Sequence, residues 1–161
     1  MVKTVQVIVC LACFSSCKIT YDTISRSDYL GNEFRIDGYY YSKFMLEEKE
    51  YIAIYFFYEN GVELHWKTSV LTDFKQLEVD IQNSTQNSEL SEPKDKWAAF
   101  HVNNNRITLE TWAHTLANKK GTYLFEYEIL NDTTLYSTGL KTYFHFKRFD
   151  FKPDSTYSSI K

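Results

Sequence analysis

The strongest pattern along the chain is the alternation of apolar and polar positions in short runs separated by turn residues, the period-two signature of β-strands with one buried face. It is clearest from Tyr51 to Trp66, where two such runs flank Asn60-Gly61. A two-residue Asn-Gly loop predicts a type I′ hairpin, which pairs Phe57 with Leu64 and Tyr55 with Trp66 and turns Val62, Leu64 and Trp66 toward a core. Glu63, His65 and Lys67 then face water. In the first arm, Ile52, Ile54 and Phe56 fall on the face opposite Tyr55 and Phe57, so another element must cover them.

The same grammar extends in both directions. Phe34 to Tyr41 reads as a first strand with Gly38 in its middle, where a glycine marks a bulge, a bend or a close backbone approach. Lys43 to Lys49 reads as an exposed loop. After Lys67 the spacing changes: Val70, Phe74, Leu77 and Ile81 recur at four, three and four residues, which predicts an amphipathic helix from about Phe74 to Ile81. Asp73 is its expected N-cap, with Gln76 completing a capping box. Its apolar stripe is expected to cover Ile52, Ile54 and Phe56 or one end of the sheet, with a ligand-gating lid as the alternative. The polar run Gln82 to Lys96 reads as a loop. Trp97 to Asn103 and Arg106 to Trp112 then flank Asn104-Asn105, a two-residue turn that pairs Val102 with Ile107 and Phe100 with Leu109.

A polar connection, Ala113 to Gly121, leads to Thr122 to Leu130. Turns at Asn131-Asp132 and Gly139-Leu140 lead on to Thr133 to Thr138 and Lys141 to Phe149. From Lys152 the tail has little to pack. Eight strands, mostly joined by tight turns between sequence neighbours, predict an all-β fold: an eight-stranded antiparallel up-and-down barrel with one short helix between the third and fourth strands. Closure removes exposed edges and leaves an interior filled by side chains or wide enough for one small ligand. A two-sheet sandwich is the alternative.

Composition adds an address. The chain has 161 residues, 43% hydrophobic and 17% aromatic, enough for one domain with a real core. Its three cysteines, Cys10, Cys13 and Cys17, all lie in the first seventeen residues, so the rest offers no thiol for a disulfide, a zinc site or a nucleophile. Lys3, an apolar run from Val5 to Phe14 and Ser15-Ser16 make the parts of a signal peptide, and the apolar run is too short for a membrane span. Phe14-Ser15-Ser16-Cys17 resembles a bacterial lipobox, with Phe14 where Leu is usual; Leu11-Ala12-Cys13 is the rival site, and an ordinary secretory signal the other alternative. The resemblance implies a signal peptide at 1–16, lipidation of Cys17, and a tether at 17–32 ahead of a barrel domain at 33–150 and a flexible tail at 151–161. Several acyl chains hold a protein on a bilayer permanently. Lys18 after the cysteine favours, by analogy with enterobacterial sorting, the outer membrane of a bacterial envelope, on either face.

Charge and motifs mostly exclude. With Lys3 removed, 17 basic residues face 21 acidic ones and no basic run is long enough to track a nucleic-acid backbone, so nucleic acid is not an expected partner. No nucleophile elbow, phosphate-binding glycine loop or zinc-protease helix is present. His65, His101, His114 and His145 are far apart in sequence, and Asp37, Glu63, Glu110, Glu126 and Glu128 fall on predicted polar faces; neither a metal site, nor a cofactor, nor catalysis is expected. The remaining signal is an aromatic set predicted to point inward. From it, Tyr40, Tyr55, Trp66, Phe100 and Tyr127 are the candidate ligand-binding residues, lining a cup for an apolar ligand or packing a dry core.

Gly38-Tyr39-Tyr40, the Phe57-Tyr58-Glu59-Asn60-Gly61 turn and Ile129-Leu130-Asn131-Asp132-Thr133-Thr134-Leu135 together resemble the lipocalin-like lipoproteins of the Bacteroidota, over roughly residues 33 to 149. Two features depart from lipocalins, which place Trp where this chain has Tyr40 and carry their helix after the last strand. The resemblance implies a non-catalytic envelope lipoprotein whose barrel binds a small hydrophobic ligand. The alternative is an interaction module with a filled barrel that docks an envelope protein or glycan.

Overall fold

The alternating runs form eight strands: β1 (Gly38–Leu46), β2 (Lys49–Phe57), β3 (Val62–Val70), β4 (Trp97–Asn103), β5 (Arg106–His114), β6 (Lys120–Asn131), β7 (Thr134–Ser137) and β8 (Thr142–Arg148). One helix, α1 (Phe74–Gln86), lies between β3 and β4. Each strand is antiparallel to its sequence neighbour, and β8 returns to β1 with Gly38 opposite Arg148 and Tyr41 opposite His145. The sheet is therefore a closed meander barrel, consistent with a lipocalin-like fold, and not a sandwich. Gly38 sits where the seam closes: a Cβ there would overlap the Lys147 carbonyl oxygen, the close approach expected of it. The computed structural model describes residues 24–70, 73–86, 96–114, 120–158 and 160; the expected leader with Cys17, most of the polar run before Trp97, and residues 115–119 lie outside them.

The second hairpin has the expected register, with Val102 opposite Ile107 and Phe100 opposite Leu109, and both Asn104 and Asn105 adopt positive φ. The β2–β3 hairpin does not. Tyr58 and Val62 pair across a loop of three residues, Glu59, Asn60 and Gly61, of which Gly61 alone has positive φ, at 75°. That is the turn followed by a left-handed glycine that closes three-residue hairpins. The extra loop residue moves the register by one, so Phe57 faces Glu63, Phe56 faces Leu64 and Tyr55 faces His65. A one-residue shift sends the side chains of β3 before the bulge to the other face. Val62, Leu64 and Trp66 thus point out of the barrel and Glu63 and His65 into it, the reverse of the sequence expectation. A bulge between Ile54 and Tyr55 ends this register, and Ile54 lies opposite Lys67.

The flip produces two cores. One fills the barrel. The other lies outside it, where Tyr39, Ile52, Ile54, Phe56, Val62, Leu64 and Trp66 make an apolar outer face. α1 covers that face with Leu77 and Ile81, both buried, as its stripe predicts. Asp73 accepts from the Lys75 amide, but Gln76 turns to Asp80 instead of completing a capping box. The helix runs past Ile81 through a polar turn that periodicity alone could not mark. Glu78 anchors it by accepting from the Tyr39 hydroxyl and pairing with Lys147 at 2.7 Å.

Three further expectations change for the same reason, because apolar surface needs covering. The tail packs: Ile160 joins the outer core with Phe149, which follows β8, and Lys152 donates to the Ile36 and Phe57 carbonyls. The presumed tether ends in buried residues, Ile24 in the outer core and Tyr29 in the inner one. Phe34 belongs to no strand and enters the barrel end. The loop expected at Lys43 to Lys49 is instead a hairpin end, with Glu47 and Glu48 both at positive φ, a turn for which these residues give no sequence signal. Replacing Leu77 or Ile81 with Ala lowers the unfolding free energy by roughly 2–5 kcal/mol in urea titrations, whereas Val79→Ala, on the exposed side of the helix, changes it by less than about 0.5 kcal/mol.

Candidate functional site

Alternate connections put the β2–β3, β4–β5 and β6–β7 turns at one end of the barrel, and that end is plugged. The segment before β1 crosses it, held by the Tyr29 amide on the Glu59 carbonyl and the Arg35 amide on the Asp132 carbonyl. Gly61 allows this crossing, since a Cβ there would overlap the Ser27 carbonyl oxygen. The Phe34 ring is 5.2 Å from Phe57 and 6.0 Å from both Tyr40 and Phe100, and Tyr29 stands 5.7 Å from Phe100. Tyr40 also ties the plug to the β6–β7 turn by donating to the Asp132 carbonyl. Aromatic packing of this kind fills the barrel interior at this end.

The middle of the barrel is polar as well as aromatic. Phe144 meets Tyr55 edge-on at 5.0 Å and Tyr127 at 5.5 Å. The Tyr127 hydroxyl hydrogen-bonds to Tyr55, and the Tyr55 ring lies flat on the His65 imidazole, at 4.7 Å and 2°. Glu63 sits one pair deeper, between Phe57 on β2 and Ala98 on β4, and is 2% exposed. Its Oε1 has no hydrogen-bond partner. Desolvation alone pushes this carboxyl well above the usual carboxylate range, so the protonated acid is the form the folded interior favours. Burial likewise raises the phenols of Tyr55 and Tyr127, and the Glu63 charge adds to both shifts.

Toward the open end the wall becomes small. Ser137, Thr142, Ser42 and Ala53 face one another across β7, β8, β1 and β2, and the Ser42 and Thr142 hydroxyls are 3.1 Å apart. Above them Phe44 stacks on Tyr51 at 5.8 Å. Across the opening, Tyr123 and Phe125 share the face of β6 that carries Tyr127, the inward face, yet are 42% and 41% exposed. A Cβ on Gly121, one step further along that face, would meet nothing within 4 Å.

The candidate residues divide accordingly. Tyr40, Tyr55, Phe100 and Tyr127 all belong to the barrel interior, Tyr40 and Phe100 in its packed lower part and Tyr55 and Tyr127 at mid-height. Trp66 does not join them, because the three-residue turn places it in the outer core. Sequence reasoning missed Glu63, assigning it to water. The signal available was the conflict that assignment created: an inward Leu64 and Trp66 would have left Ile52, Ile54 and Phe56 without apolar neighbours on β3. Of the histidines, His65 faces inward, His145 is exposed on the outside, and exposed His101 contacts the Ser27 hydroxyl, so they do not converge. Among the described residues no group of three or more His, Cys, Asp or Glu could hold a metal ion.

A concavity of about 430 Å³ lies on the plugged end beneath the tail, lined by Asp37, Tyr58, Asn60, Lys152 and Ser155 among others. The Lys152 ammonium there lies 4.3 Å over the Tyr58 ring, and burial lowers its pKa to about 8. Because both its carbonyl acceptors belong to the plugged end, its evident work is holding the tail. Comparison with known proteins finds no match to any family model, any curated protein or any solved structure.

The burial of Glu63 has a measurable pH signature. Its folded-state pKa is raised, so the stability it lends is fully present below the unfolded value near 4.5 and is lost as pH rises toward the folded value. Lys152 is charged in both states up to about pH 7 and contributes a constant over that window. Glu63→Met, which removes the orphaned oxygen at similar length, therefore stabilises by about 1–3 kcal/mol at pH 7 and by less at pH 4 in urea unfolding.

Proposed function

We propose that this chain is a binding protein whose barrel takes a small, largely apolar ligand through its open end, as a lipocalin-like envelope lipoprotein does, with binding and not turnover as its output. The observation that carries the reading is the state of the inward-facing rings at that end. Phe44, Tyr123 and Phe125 point toward the barrel axis but remain about two-fifths exposed, while the opposite end is plugged. Apolar rings that face a barrel axis and still meet water are what a ligand site of this class offers. Beneath these rings lie the buried small side chains of Ser42, Ala53 and Ser137, and then the Tyr55–His65 pair.

Anchoring fits this orientation. Lipidation at Cys17 would leave only six residues before buried Ile24, a reach of at most roughly 25 Å. The chain then enters at the plugged end, so a bilayer-anchored barrel, on either face of a bacterial outer membrane, turns its open end away from the lipid.

A second reading, a docking module for an envelope protein or glycan, draws on the packed lower barrel and on Leu124 and Tyr143, which are exposed on the outer face of the barrel. Adjacent residues on β6 separate the two readings. Titrating the full chain with N-phenyl-1-naphthylamine gives saturable fluorescence enhancement at one probe per chain. Phe125→Asp weakens it by about tenfold or more, the scale of one buried aromatic ring, and Leu124→Asp, on the opposite face, leaves it within about twofold. Equal effects of the two variants, or no saturable binding, contradict the carrier reading.

A further inference from the structure

The carrier reading leaves the chemistry of the ligand open, and Glu63 narrows it. A buried carboxyl normally has its oxygens satisfied, and an orphaned one is a standing penalty that evolution could remove with Met or Leu. Here the penalty sits inside the barrel at the level just below the proposed ligand site. The Tyr55–His65 stack is the next inward-facing pair toward the open end from Phe57 and Glu63, and both stacked residues keep partial exposure, so this pair stands between the carboxyl and the entrance. The titratable groups around Glu63 are Tyr55 on β2, Tyr58 at the end of β2, His65 on β3 and Tyr127 on β6. Among the described residues no lysine or arginine pairs with it.

We propose that Glu63 is the polar anchor of the ligand site and that the ligand is an amphiphilic amine, an apolar body carrying one protonated nitrogen. The proposal rests on the carrier reading and adds the ligand's head group. An ammonium satisfies the orphaned oxygen and compensates the charge of the ionised carboxylate at once, which a hydroxyl does only in part and a carboxylate not at all. The face of the Tyr55 ring that His65 covers becomes available to a cation once the pair parts. To reach Glu63 the head group displaces the Tyr55–His65 pair, while the alkyl or aryl body stays among the Phe44, Tyr123 and Phe125 rings.

The proton balance follows from the resting state of the carboxyl. An ammonium that binds keeps its own protons, and the acid proton of Glu63 leaves to water, so one proton is released per ligand. A free amine would take that proton directly, but at pH 7 it has already given one to the buffer, so the net release is the same.

The test is calorimetric titration of the full chain at pH 7 with octylamine, octan-1-ol and octanoate, each in two buffers of different ionisation enthalpy. Octylamine binds at least about tenfold more tightly than octan-1-ol, the scale of a hydrogen bond to a charged group, and releases about one proton; octanoate binds weakest. Glu63→Gln brings octylamine down to the affinity of octan-1-ol and abolishes the proton release. The wild-type proton count alone decides the matter if the variant fails to fold. Octylamine and octan-1-ol binding alike with no proton released overturns the amine proposal and leaves the carrier reading standing. If neither octyl compound nor the naphthylamine probe binds, the carrier reading falls and this proposal with it.

Discussion

The three-residue turn at Glu59, Asn60 and Gly61 is the constraint on which the rest of this barrel depends. One residue more or less in that loop exchanges the two faces of β3 before the bulge. With Gly61 in the left-handed region, Val62, Leu64 and Trp66 join Ile52, Ile54 and Phe56 in a continuous outer apolar face, and Glu63 and His65 enter the barrel. The same glycine leaves room for the Ser27 backbone, so the segment that plugs the barrel lies against the turn that sets its register.

An up-and-down barrel with apolar residues on both faces of β2 must be covered on the outside, and three otherwise unrelated parts of the chain meet that demand. α1 supplies Leu77 and Ile81, the chain after β8 Phe149 and Ile160, and the N-terminal segment Ile24. Glu78 and Lys152 then fix helix and tail through one ion pair and two carbonyl contacts. Covered on one flank and plugged at one end, the barrel has freedom left mainly at its other end, where inward rings stay exposed. Packed aromatics therefore lie below, and a partly polar level with exposed inward rings lies above.

Much of the architecture was legible because its signals are local. Strand alternation, the Asn104-Asn105 turn and the 4-3-4 spacing in Val70 to Ile81 are each encoded within a dozen residues, and the strand count with its helix follows from them. What was illegible depends on a distant partner or an unusual backbone. Asn60-Gly61 serves either a two- or a three-residue loop, and only the need to cover Ile52, Ile54 and Phe56 distinguishes them. Glu47-Glu48 turns without a turn residue. The tail packs because an apolar face elsewhere requires it. At the site, Tyr40, Tyr55, Phe100 and Tyr127 were readable as inward rings, while Trp66 and Glu63 exchanged places through the register. The residue with the most distinctive chemistry was hidden by the same single-residue ambiguity.

The central claim, that the turn carries Glu63 into the barrel without a partner, is tested most directly by following the Glu63 side-chain carboxyl carbon by NMR as a function of pH. The account predicts a resonance that stays at its protonated position while the exposed carboxylates titrate, with a midpoint well above 4.5. A midpoint at or below that value would mean that Glu63 faces water, that Leu64 and Trp66 face the interior, and that the register described for β2 and β3 is wrong.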